Sequence, residues 1–192
     1  MKISKVFFKL SLLAVLIYGL SLLLTFRAPD REIIYQVSIF SALMKGDYEG
    51  EIKLKNLKKQ GDLGIGTFNA LDGEMIELDS KFYQVKSDGK VYLAGDSAKT
   101  PFAAVTFFDV DRRVFLNQTL DFEGLTKFID SFIPNKNILY AIKIEGKFEY
   151  VKARSVRRQE KPYLPLLEVV KAQSTFEFTN IDGTIVGFRL PK

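Results

Sequence analysis

Tight-turn dipeptides recur between short runs of alternating apolar residues, and their spacing constrains the fold of this chain more than any other feature. Asp72-Gly73 separates runs at 64–70 and 75–78, and Ser87-Asp88-Gly89 turns the run at 82–85 back into 90–93. Asp and Gly tolerate the backbone that such reversals demand, so these read as hairpins. By the same rule 103–109 and 114–120 pair across Val110-Asp111-Arg112-Arg113, 139–144 and 147–156 across Glu145-Gly146, and 174–180 and 184–189 across Asp182-Gly183. Helical spacing is confined to a few places. Residues 33–44 carry it, 52–59 form a short amphipathic helix stopped by Gly61 as a left-handed cap, and Asp121 caps a helix through Phe132 that Pro134 closes. The fold class expected is α+β, rich in β-sheet, with hairpins and a few short helices. A domain boundary falls between Phe132 and Leu139, giving residues 29–135 and 136–192 as two domains.

Ahead of them stands a leader, residues 1–28. From Leu10 to Phe26 there are 17 consecutive residues without a charge, preceded by Lys2, Lys5 and Lys9. That run is at the short end for a spanning helix and slightly long for the apolar part of a signal peptide. The expectation is an N-terminal hydrophobic helix that enters the membrane through residues 10–26, as an anchor or as a cleaved signal. The lysines on its N-terminal side place the folded part outside the cytoplasm, membrane-anchored or secreted. The alternative is a buried core helix in a cytoplasmic chain.

Composition removes whole classes of chemistry. Among the 192 residues there is no His and no Cys, which excludes Cys-His zinc sites, Ser-His-Asp and Cys-His nucleophiles and disulfide frameworks built from this chain. The net charge of +5 belongs to the leader: it holds four of the 28 bases and none of the 23 acids, leaving 24 bases against 23 acids in the rest. The folded part therefore has no basic footprint for nucleic acid. Arg154, Arg157, Arg158 and Lys161 form one local basic cluster, which by itself reads as a solvated strand end.

The glycines Gly61, Gly64 and Gly66 precede a strand rather than joining a strand to a helix, so they do not make a phosphate loop. Asp109 and Asp111 lack the further carboxylates of a calcium loop and read as a solvated turn. The segment from Gly61 to Met75 is denser in glycine than the rest, and its Glu74 follows the Asp72-Gly73 turn directly. From the residues alone Glu74 is a surface glutamate with a fixed direction.

The letters then resemble a family. Tyr35-Gln36-Val37-Ser38, Leu43-Met44-x-Gly46-x-Tyr48-x-Gly50, the Gly64 to Glu74 run, Phe82-Tyr83-Gln84, Thr100-Pro101-Phe102-Ala103, Tyr140-Ala141-Ile142-Lys143, Val151-Lys152-Ala153-Arg154-Ser155-Val156 and Lys161-Pro162-Tyr163 follow, in order and spacing, alpha-acetolactate decarboxylase. The resemblance implies a two-domain scaffold of mixed β-sheets, a zinc site, and decarboxylation of 2-acetolactate, a 2-hydroxy-3-keto acid, to acetoin and carbon dioxide. It further implies that Glu74 and Arg154 are catalytic, that Thr67 lines the substrate pocket, and it allows a homodimer.

In the family three zinc-binding histidines, two of them in a His-x-His element, follow the Gly-Phe-Arg-Leu-Pro segment, and another glutamate lies near the C-terminus. Here that segment ends at Pro191 and only Lys192 follows. The expectation is a family member cut off before its metal ligands, contributing no metal-binding residue of its own and inactive as this chain. The alternative is a non-catalytic, membrane-tethered remnant or binding module with the same fold.

Overall fold

The computed structural model describes residues 31–191. The expected leader helix lies outside the described residues. Among the described residues ten strands and four short α-helices carry the architecture, and every strand pair is antiparallel.

The first sheet has six strands in the order β1-β8-β3-β4-β5-β6, with β1 at Tyr35–Val37, β3 at Leu63–Thr67, β4 at Glu74–Leu78, β5 at Lys81–Val85, β6 at Val91–Leu93 and β8 at Phe102–Thr106. The runs around Asp72-Gly73 and Asp88-Gly89 fold as the turn chemistry predicts. Gly73 sits at φ +90, and a Cβ there would lie 2.4 Å from the Val85 carbonyl oxygen, so both the backbone and the space require glycine. One face of this sheet buries Val37, Met75, Phe82, Ala103 and Val105 against Leu54, Leu57 and Phe68. Each of the larger of these side chains contributes about 1.5–3 kcal/mol when fully withdrawn from water.

Residues 33–44 do not form one helix. Tyr35 to Val37 pair with β8, Tyr35 opposite Val105, Ser38 turns at φ 59, and only Phe40–Met44 (α1) is helical. Burial of Val37 against the sheet outweighs a weak helical periodicity. The segment 52–59 divides likewise into β2, Ile52–Lys53, paired with β7, Lys99–Thr100, and a single helical turn, Leu54–Leu57 (α2). Gly61 is not a left-handed cap. A Cβ at Gly61 would meet the Thr106 backbone nitrogen at 2.6 Å, so this glycine serves close approach of two chains.

No strand forms at 114–120, and 107–120 contains no regular element. The reason is topological: β8 lies between β1 and β3, so both of its edges are already hydrogen-bonded and no hairpin partner can add. The helix after Asp121 is present at Phe122–Phe132 (α3), with the Asp121 carboxylate accepting from the Gly124 amide at 2.7 Å.

The largest departure from expectation concerns 139–189. Glu145-Gly146 and Asp182-Gly183 are not turns. Each lies inside one continuous strand, β9 at Tyr140–Ser155 and β10 at Ser174–Arg189. The two strands pair with each other along their length, from Ser174 opposite Ser155 to Arg189 opposite Tyr140, and Gly183 stands opposite Gly146. A long ladder satisfies more backbone groups than two short hairpins would, and the reversal is moved to 156–173. That connection contains Leu166–Val169 (α4) and a 3-10 turn at Val170–Ala172. It buries Val156 and Val169 with Leu43, Tyr48 and Leu71 in a second apolar cluster.

Candidate active site

Thr67 and Glu74 stand opposite each other where β3 meets β4. The chain between them is wound tightly: Ala70 and Leu71 take left-handed backbone angles, φ 60 and φ 50, which cost non-glycine residues free energy and persist only where neighbours fix them. Those neighbours are identifiable. The Ala70 amide donates to the Tyr48 carbonyl at 2.8 Å and the Ala70 carbonyl accepts from the Gln159 amide at 2.7 Å. The Asn69 side chain accepts from the Gly50 amide and donates to the Gly50 carbonyl, both at 3.0 Å. Thr67 Oγ1 donates to the Gly73 carbonyl at 2.8 Å, while Gln84 Nε2 donates to the Asp72 carbonyl. The buried Thr67 hydroxyl is thus committed to the turn that delivers Glu74.

Glu74 is half-buried at the start of β4. Burial pushes its carboxyl above the ordinary glutamate range, and a hydrogen bond from the Val156 backbone amide and the positive charge of Arg154 oppose that rise. The carboxyl and the guanidinium expected from the family motifs, 80 positions apart in sequence, are therefore neighbours in space. Arg154 is exposed at the end of β9, opposite Thr175, in an open cleft of about 400 Å³ lined also by Lys152, Ala153 and Gln173.

Two charged networks among residues of the same motifs escape a reading of the sequence. Asp72 is met by Lys86 Nζ at 3.1 Å and by Arg158 at 3.5 Å. Glu49 accepts from the Tyr163 hydroxyl at 2.6 Å, with Lys161 at 3.4 Å. The Tyr163 bond, followed by Lys161 and Arg158, holds the Glu49 carboxyl below its ordinary range despite some desolvation. Asp72 sits in the turn motif and Lys161 and Tyr163 in the Lys-Pro-Tyr motif, so the motifs marked the positions although they could not pair them.

The residues present do not make up a zinc ligand set. The chain has neither His nor Cys, and among the described residues no three of His, Cys, Asp or Glu converge to hold a metal ion. The groups that act on the Glu74 carboxyl are the Val156 amide, by a hydrogen bond, and the charge of the Arg154 guanidinium, both suited to an anion and neither a ligand to a cation.

A half-buried carboxyl at the start of β4 thus lies within reach of the charge of an exposed guanidinium that lines an open cleft on the β9–β10 ribbon. Residues 34–192 match the family model described as alpha-acetolactate decarboxylase, and the chain belongs to that family. It is 48% identical over 161 residues to the alpha-acetolactate decarboxylase of Methanosarcina mazei, covering 84% of this chain and 56% of that protein. With that of Brevibacillus brevis it shares 47% over 161 residues, again 84% and 56%. The crystal structure of alpha-acetolactate decarboxylase from Bacillus subtilis strain 168 superposes with a TM-score of 0.79 at 45% identity, covering 81% of this chain and 66% of that one. The chain thus spans little more than half the length of these two sequence relatives.

Proposed function

We propose that this chain is the substrate-anchoring and proton-handling part of an enzyme that converts 2-acetolactate to acetoin and carbon dioxide. What carries the reading is the juxtaposition of Glu74 with Arg154 beside the cleft. In this reaction the bond between the carboxylate carbon and C2 breaks, carbon dioxide leaves, and its electron pair passes through C2 onto the ketone oxygen. The resulting enediolate takes a proton at the former C2. Arg154 offers a planar fork matched to the substrate carboxylate and then to the developing oxyanion. Glu74, its carboxyl raised by burial, retains a proton more readily near neutral pH than an exposed glutamate and serves as donor to the enediolate. The zinc that the family resemblance implies, with the charge stabilisation a Lewis acid supplies, belongs in this reading to a segment beyond these residues.

The test is completion. A relative's segment carrying His-x-His and the late glutamate, fused after Pro191, is expected to restore acetoin formation from 2-acetolactate. A folded, zinc-loaded fusion that forms no acetoin would instead support the non-catalytic binding module.

For location, the proposal is that residues 1–28 direct the chain to the membrane and leave the remainder outside the cytoplasm. It is supported by the uncharged run at 10–26 and its lysine flank. No helix among the described residues is long and apolar enough to cross a membrane. Reporters active only in an exported state and only in the cytoplasm, each fused after Arg31, are expected to show activity from the exported one alone. Activity from the cytoplasmic reporter alone overturns the proposal.

A further inference from the structure

The buried hydroxyl next to Arg154 has no place in the chemistry above, yet its position is specific. Ser155 is 0% exposed, and its Oγ donates to the Val85 carbonyl at 2.9 Å. Val85 is the β5 residue directly opposite Glu74. The same carbonyl faces Gly73, where a Cβ would come within 2.4 Å of it, so the Ser155 hydroxyl reaches the backbone at the base of the Glu74 side chain. Ser155 is also the last β9 residue in the ladder with β10, opposite Ser174. Beyond it the chain leaves the ribbon, and the Val156 side chain enters the second apolar cluster. Apolar burial of Val156 holds this segment down without fixing its rotation, because the hydrophobic effect is non-directional. A hydrogen bond is directional and fixes it.

We propose that Ser155 is a positioning residue: its hydroxyl pins the end of β9 to β5, so that the Val156 amide and the Arg154 guanidinium are presented together to the Glu74 carboxyl. The inference rests on reading Glu74 and Arg154 as the active pair. Arg154 and Val156 flank Ser155 directly, so one anchor sets both groups that act on Glu74.

The experiment reads local structure in the full 192-residue chain, so it fails or succeeds independently of acetoin formation. Amide hydrogen exchange and ¹³C carboxyl titration of labelled glutamates are compared in the parent, Ser155→Ala and Ser155→Thr. In Ser155→Ala the Val156 amide is expected to exchange at least about tenfold faster, as for a locally opened segment. Amides of β3 should be unchanged, and the Glu74 titration should move further up as the Val156 amide and the Arg154 charge, which oppose the effect of burial, are drawn away. Ser155→Thr, which keeps the hydroxyl, should restore both. Parent-like Val156 exchange and Glu74 titration in Ser155→Ala overturn the proposal. So does acceleration spread equally over β3, which marks a purely structural role. If Ser155→Ala does not fold, Ser155→Cys, close in size with a far weaker donor, carries the test: faster Val156 exchange supports the proposal and parent-like exchange overturns it.

Discussion

In a chain completed with the metal-binding segment, Arg154→Lys and Glu74→Gln are each expected to lower acetoin turnover by about two to four powers of ten, the range of a positioned acid-base or electrostatic group. Lys keeps the charge but presents a point ammonium in place of a planar fork, so the carboxylate and the oxyanion lose bidentate geometry. Gln keeps the size of Glu74 and the acceptor for the Val156 amide while removing the exchangeable proton. Arg154 is exposed and Glu74 only half-buried, and neither belongs to an apolar cluster. Zinc content and melting temperature of the two variants should therefore stay close to the parent. Steady-state acetoin formation, read beside both controls, decides the matter. A rate within about threefold of the parent in a folded, zinc-loaded variant removes that residue from the catalytic assignment.

The parts of this structure legible in the sequence are those whose causes are local. Asp72-Gly73 and Asp88-Gly89 announce turns because the residues themselves supply the backbone, and Asp121 announces a helix because its carboxylate caps one within three residues. Glu145-Gly146 and Asp182-Gly183 carry the same local signal and mislead, since each is overruled by a distant strand that pairs straight through it, Gly183 opposite Gly146. The failure at 114–120 has the same origin: whether an alternating run becomes a strand depends on whether an edge is free, and β1 and β3 had taken both edges of β8. The candidate site divides in the same way. Composition made Glu74 a surface residue and Arg154 a solvated strand end, and the family motifs alone singled them out. Their adjacency follows from a docking that leaves one modest mark in the sequence, a serine between Arg154 and Val156.

Raising the pH from 5 to 9 is expected to destabilise the folded chain by roughly 2–4 kcal/mol through a single side chain. Glu77 lies on β4 between Gly64 and Phe82, 0% exposed, with neither carboxylate oxygen hydrogen-bonded. Alternation along Met75-Ile76-Glu77-Leu78 turns this carboxyl onto the same face as Met75 and Phe82, into the core. Burial, and then the nearby charge of Asp62, push its pKa up to about 8 against the opposing pull of Lys58. Because the folded value lies above the ordinary 4.5, the folded state holds the proton more tightly than the unfolded chain does. That stabilisation is complete below about 4.5 and is lost as the pH rises through about 8. Glu77→Gln cannot ionise, so its urea midpoint should fall far less between pH 5 and 9 than the parent's. Glu77→Met removes the unpaired polar atoms as well, and should be the more stable chain at pH 9. Equal pH slopes for the parent and Glu77→Gln would show that Glu77 titrates in the folded chain as it does in the unfolded one, reaching water, and would place the pH sensitivity of this fold elsewhere.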